Sequence, residues 1–210
     1  FFVFLPSNML RRAFKTFPTA AKNYRTTTIL AVRKGGDVVL MGDKLVTAGS
    51  VAVKPTATKI RVITKKDHPD VLVGFAGSVA DAFSLLSKLE GKLDEYPGQL
   101  LRACVELAKA WRSDKYLRRL EATVVACDPD GIYTVDGMGN VLEGDSGVLA
   151  AGSGGYFATA AARALYDVEG LSAEQIARKA MNVATSMDIH SNESHDCLKV
   201  TKGSNESQKL

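Results

Sequence analysis

The sequence predicts an α+β fold of four layers, with two antiparallel sheets stacked centrally and helices covering both outer faces. Three observations carry that prediction. Segments of strand and helix character alternate in blocks: strands, two helices, strands, two helices. The strand segments come in pairs joined by short turns, as antiparallel hairpins do. The helices come in pairs after each strand block, so each sheet has two helices available to cover one face. A doubly wound parallel sheet needs single helices alternating with single strands, and that pattern is absent.

The first hairpin is TTILAVRK, the pair Gly35-Gly36, and DVVLMG; the glycines supply the backbone freedom of a two-residue turn. KIRVI (59–63) and VLVGFA (71–76) form a second strand pair across the polar KKDHPD turn. In SVADAFSLLSKLEGKLDEY, Val79, Phe83, Leu86 and Leu89 recur at spacings of three and four and predict one apolar helix face. Beyond Pro97-Gly98, the residues Leu100, Cys104, Leu107 and Trp111 mark the buried face of a second helix. ATVVACD and IYTVD flank a DPDG turn as a further hairpin, and GVLAAG (147–152) reads as a buried strand. YFATAAARALYDV is the third helix. The fourth opens at Ser172, with Gln175 three residues on as a capping box requires.

Composition excludes several classes of function. The chain has 210 residues, 46% of them hydrophobic and 24% charged, which suits a packed globular core rather than a disordered or fibrous chain. No apolar run approaches the roughly 20 residues that a membrane-spanning helix needs. Cys104, Cys127 and Cys197 are odd in number and form no CxxC pair, which argues against a disulfide framework or a zinc site and suits a reducing compartment. The net charge of +4 is unevenly placed. Residues 1–26 carry Arg11, Arg12, Lys15, Lys22 and Arg25 and no acid, and the first carboxylate is Asp37. With those five set aside, 22 basic residues face 23 acidic ones, so the body lacks the basic excess of a nucleic-acid binder. From Met9 the leader reads MLRRAFKTFPTAAKNYR, with Leu10, Phe14 and Phe17 spaced as on one helix face. That is the pattern of a mitochondrial presequence, so residues 1–26 are expected to be removed and the mature chain to reside in the mitochondrial matrix.

Most active-site motifs are missing. His68, His190 and His195 fall in no HExxH or recognisable triad motif, and GxSxG, Walker A and GxGxxG do not occur. GSGG at 152–155 precedes a helix and reads either as a backbone cradle for an anion or as a tight strand-to-helix turn. A run of three threonines, Thr26, Thr27 and Thr28, lies at the junction of leader and first strand. By itself the run reflects β-propensity. If cleavage exposes one of them, its hydroxyl gains a neighbouring α-amine that titrates near neutrality and acts as its base.

The stretches TTILAVRKGGDVVLMGD, GFAGSVADAF, ELAKAWRSDKYLRRLEA and AGSGGYFATAAARAL closely resemble the HslV (ClpQ) family, the proteasome-like peptidases of ATP-dependent HslVU proteases. The resemblance runs from Thr27 to about Asn192. It implies the four-layer αββα fold of the N-terminal-nucleophile hydrolases, in agreement with the element order. It also implies a catalytic threonine followed by an Asp sixteen residues on and a Lys thirty-two residues on. Counted from Thr27 these are Asp43 and Lys59; counts from Thr26 or Thr28 miss both. In the family's chemistry Lys59 is a fixed cation that favours the deprotonated hydroxyl, and Asp43 orients and balances it. Gly77 matches the residue whose N–H stabilises the oxyanion, Ser153 the serine beside the terminal amine, and Val79 a residue lining an apolar substrate pocket.

The resemblance further implies a monovalent cation, usually sodium, held largely by backbone carbonyls at Thr185, Asp188 and Ser191. No cofactor is implied for catalysis. It implies a partner, the hexameric AAA+ ATPase HslU (ClpY), a homododecamer of two stacked six-membered rings, and unfolded proteins as substrates. The expected organisation is a leader (1–26), a peptidase domain (27–202) and a disordered tail (203–210). Two other functions stand beside this one: an inactive structural subunit of the same ring, and an N-terminal-nucleophile hydrolase acting on small amides.

Overall fold

The computed structural model describes residues 27–115 and 122–210, apart from the side chains of residues 79 and 80; the leader lies outside the described residues. The first hairpin forms as its sequence requires. Strand β1 (Thr28–Lys34) pairs with β2 (Asp37–Asp43), Lys34 opposite Asp37. Gly35 and Gly36 between them have φ of 64° and 87°, the left-handed region demanded at both centres of a tight hairpin turn. Strand β10 (Val148–Gly152) lies on the other side of β1; beyond β2 come β11 (His195–Thr201) and β12 (Ser207–Lys209). A small separate hairpin, β3 (Val46–Ala48) with β4 (Val51–Lys54), follows β2 in the chain.

The second sheet runs β5 (Ile60–Ile63), β6 (Val71–Gly77), β7 (Ala122–Cys127), β8 (Ile132–Asp136) and β9 (Val141–Glu143), each antiparallel to the next. Helices α1 (Val79–Glu95) and α2 (Leu100–Ser113) follow β6, and α3 (Gly155–Tyr166) and α4 (Ala173–Met187) follow β10. Alternation along β1 explains the layering. Ile29 and Ala31 face Leu72, Val125 and Ile132 of the second sheet, while Leu30 and Val32 face Ala158, Ile176 and Met181 of α3 and α4. Leu85, Leu89, Leu107 and Trp111 cover the outer face of the second sheet against Val73 and Val124. Both sheets are apolar on both faces because both are covered twice, which gives the expected αββα sandwich.

Three expectations change. On α1 the buried ladder is Leu85, Leu89 and Leu93, while Phe83 is 55% exposed beneath Arg61 of β5. The continuous i, i+4 stripe outcompetes a single larger side chain one-third of a turn away. Strands β3, β4, β9, β11 and β12 form as well, beyond those that the sequence predicts. The tail 203–210, expected to be disordered, is tied down: Leu198, Lys199 and Val200 of β11 pair with Lys209, Gln208 and Ser207. Asp70 accepts the Ser207 N–H at 2.8 Å, and its own N–H reaches the Asn205 carbonyl at 2.9 Å. The strand signal is weak because only pairing with β11 satisfies this polar backbone. The Ser172–Gln175 capping box forms as read, with bonds of 3.2 and 2.9 Å.

Candidate active site

One end of the sandwich gathers the chain positions singled out by the threonine run. There β1 begins, β2 ends at Asp43, β10 ends at Gly152 opposite Thr28, and β11 begins at His195 opposite Asp43. At the same end of the second sheet β5 begins just after Lys59 and β6 ends at Gly77. Antiparallel pairing thus brings residues far apart in sequence to a common rim.

Thr27 and Thr28 are almost fully buried, and with residue 26 attached the Thr27 nitrogen is a peptide amide. That amide donates to Ser153 Oγ at 3.2 Å. The Ser153 hydroxyl lies 2.7 Å from Asp188 Oδ2. On the other side, Asp43 Oδ1 accepts both the Thr28 N–H at 2.8 Å and Lys59 Nζ at 2.7 Å. Asp43 Oδ2 takes the Leu45 N–H at 2.9 Å. Three donors converge on one buried carboxylate, so its orientation is fixed. Burial holds the Lys59 ammonium below the ordinary lysine range, opposed by the charges of Asp43 and Asp188. The site therefore contains a desolvated cation on one side of Thr27 and a hydroxyl–carboxylate pair behind its nitrogen.

The GSGG segment is the tight strand-to-helix turn of the two readings, and its tightness presses on the threonines. A Cβ on Gly152 would sit 1.9 Å from the Thr27 carbonyl oxygen, and φ there is +95°. A Cβ on Gly154 would sit 2.0 Å from Thr28 Oγ1. Gly152→Ala is expected to lower the melting temperature through backbone strain of about 1–3 kcal/mol and to displace Thr27. Thermal unfolding and peptide hydrolysis measured together check this; wild-type values for both would contradict it.

The other sequence-predicted residues divide. Gly77 closes β6 opposite Ala122 with φ of +126°, a conformation glycine alone adopts readily. Val79 opens α1, and its side chain lies outside the described residues. The three cation positions do not share one side-chain site. Thr185 Oγ1 turns back along α4 to the Met181 carbonyl at 3.0 Å. Asp188 and Ser191 instead join the active-site rim: Ser191 Oγ donates to Asp188 Oδ2 at 2.7 Å and contacts Thr28 Oγ1 at 2.6 Å. Sequence reasoning missed this second role, because nothing in a D-x-x-S spacing after a helix names its distant partners. Among the described residues no three His, Cys, Asp or Glu side chains converge as metal ligands do.

A family model for proteasome subunits matches residues 24–200. The ATP-dependent protease subunit HslV of Trypanosoma brucei brucei is 53% identical over 203 residues, which cover 95% of each chain. HslV of Paramagnetospirillum magneticum is 52% identical over 170 residues, covering 81% of this chain and 92% of that relative. Among solved structures, eukaryotic HslV from Trypanosoma brucei matches with a TM-score of 0.79 at 53% identity, over 83% of this chain and 99% of that one. Thiobacillus denitrificans BPH, solved in complex with epoxomicin, shares the fold at 23% identity and a TM-score of 0.68, over 85% of this chain and 100% of that one. High identity along nearly the whole chain, together with the αββα architecture, places it: this chain belongs to the proteasome subunit family, among the HslV subunits of ATP-dependent proteases.

Proposed function

We propose that the mature chain is a threonine endopeptidase whose nucleophile is Thr27 once residues 1–26 are removed. The observation that carries this reading is the pair of anchors around Thr27: Ser153 at its nitrogen, and the Lys59–Asp43 pair bonded to the next N–H. After maturation the freed α-amine takes the Thr27 hydroxyl proton as Oγ bonds to the substrate carbonyl carbon. The Lys59 charge lowers the cost of the developing alkoxide and disfavours protonation of the amine. The Gly77 N–H is assigned to the oxyanion. Collapse breaks the C–N bond, and the amine returns its proton to the leaving nitrogen. A water, deprotonated by the same amine, then releases the acyl group and regenerates Thr27.

The remaining assignments follow the same reading. Val79 lines an apolar substrate pocket, and a sodium ion is held by the carbonyls of Thr185, Asp188 and Ser191 as a structural element. The subunit forms a dodecamer of two hexameric rings in the mitochondrial matrix and works with the HslU hexamer. A folded domain resists entry to an enclosed chamber, and unfolding it costs about 5–15 kcal/mol. The chain carries no P-loop, so that work is assigned to the ATPase.

The test is degradation of a stable folded reporter and of a short apolar peptide, each with and without HslU and ATP. The expected result is weak peptide cleavage by the peptidase alone, and reporter degradation only with HslU and ATP. Rapid destruction of the folded reporter without ATPase would overturn the partner-gated reading.

A further inference from the structure

We propose that Thr28, the residue after the nucleophile, is a positioning residue whose hydroxyl locks the two halves of the site together. The inference rests on the reading of Thr27 as nucleophile.

Proton counting fixes the direction of the hydrogen bonds. A serine hydroxyl has one proton to give. That of Ser191 points to Asp188 Oδ2 at 2.7 Å, so the 2.6 Å contact with Thr28 must run from the Thr28 hydroxyl to Ser191 Oγ. The result is a directed chain, Thr28 to Ser191 to Asp188. Ser153 donates to the same Asp188 oxygen from the other side at 2.7 Å, and Ser153 Oγ in turn receives the Thr27 N–H. Meanwhile the Thr28 main chain donates to Asp43 Oδ1, the oxygen that also holds Lys59. One residue is therefore bonded to the lysine arm through its backbone and to the amine arm through its side chain.

Among the described residues the Thr28 hydroxyl bonds to Ser191 Oγ. Thr28 is fully buried, and the Gly154 backbone lies so close that a Cβ there would overlap Oγ1. Without the hydroxyl, Ser191 Oγ loses its donor and its grip on Asp188 loosens, and Ser153 is no longer held square to the terminal nitrogen. The Thr28 hydroxyl is fully buried, out of reach of a substrate that approaches Thr27 from solvent. The loss is thus expected in kcat rather than KM.

The experiment uses chains whose mature N-terminus is verified by mass as Thr27, with assembly checked by size-exclusion chromatography and stability by thermal unfolding. Thr28→Val keeps the β-branched shape and removes the proton donor. It is expected to lower kcat on a short apolar peptide by about 10- to 100-fold, with KM within about twofold. Thr28→Ser is expected to recover most of that loss. Ser191→Ala breaks the same link from the other end and is expected to reproduce the kcat loss, giving a second route if Thr28→Val does not assemble. The double variant is expected to be no slower than the slower single one. Wild-type kcat in both single variants, a Thr28→Ser as slow as Thr28→Val, or multiplicative losses in the double variant would overturn the inference. Thr27→Ala separates the two levels: an active Thr27→Ala removes the nucleophile reading and this inference with it. An inactive Thr27→Ala beside a normal Thr28→Val removes this inference alone.

Discussion

Thr27→Ala is expected to abolish peptide hydrolysis, a loss on the order of 10⁴-fold or more, while the ring still assembles. The expectation follows from where Thr27 sits and what surrounds it. It is the residue immediately before β1, its nitrogen is held at 3.2 Å from Ser153, and its carbonyl is packed against Gly152. Removing one hydroxyl leaves those backbone anchors in place, so fold and assembly are preserved. The reaction loses its only nucleophile, and the α-amine then has no proton to accept. The companion measurement is the intact mass of the mature protein. A chain beginning at Thr27 is expected, because an attached leader turns the base into a non-basic amide. A fully active chain beginning at Asn23 or Thr28 would contradict the assignment. Thr28 is a poor candidate on geometry, since its hydroxyl is fully buried and directed at Ser191.

The second large effect concerns Lys59. Lys59→Ala is expected to remove turnover, by roughly 10²–10³-fold or more, because the developing alkoxide loses its nearby positive charge. It also strands Asp43, which is completely buried, without its cation. Breaking a buried pair from one side costs about 3–5 kcal/mol, so the variant is expected to melt at lower temperature. Lys59→Gln separates the effects: its amide still donates to Asp43 and supports the fold, yet carries no charge. It is expected to assemble and remain inactive, and substantial peptidase activity in Lys59→Gln would rule out the electrostatic role. The pH dependence has a definite sign. Burial lowers the lysine's proton affinity, so its charge is lost at a lower pH than that of a free lysine. The alkaline fall in activity is therefore expected to begin below the ordinary lysine range.

How much of this was legible in the sequence depends on whether the responsible interaction is local. The Gly35-Gly36 turn was readable because its positive φ values are a property of two adjacent residues. The buried face of α2, from Leu100 to Trp111, was readable because helical periodicity is carried within fourteen residues. The Ser172–Gln175 capping box closes over three residues. Resemblance added Asp43 and Lys59 by counting along the chain, and the fold then placed them 2.7 Å apart.

What tertiary structure alone decided involves partners distant in sequence. β11 is a strand because β2 and β12 supply its hydrogen bonds, and β12 because β11 and the Asp70 loop hold it. Phe83 is left outside because the second sheet accepts the Leu85–Leu89–Leu93 stripe instead. Asp188 and Ser191 read in one dimension as the end of a helix beside a cation loop. Only the folding of α4 back over the first sheet sets them against Ser153 and Thr28, 35 and 163 residues away. The sequence by itself determined seven of the twelve described strands, the four described helices and their order, since these rest on local backbone preference and periodic burial. The union of the Ser153 and Ser191 hydroxyls, the Asp188 carboxylate and the Thr27–Thr28 pair was decided by the antiparallel ladders. Those ladders bring distant strand ends to one rim, and no local preference encodes which ends will meet.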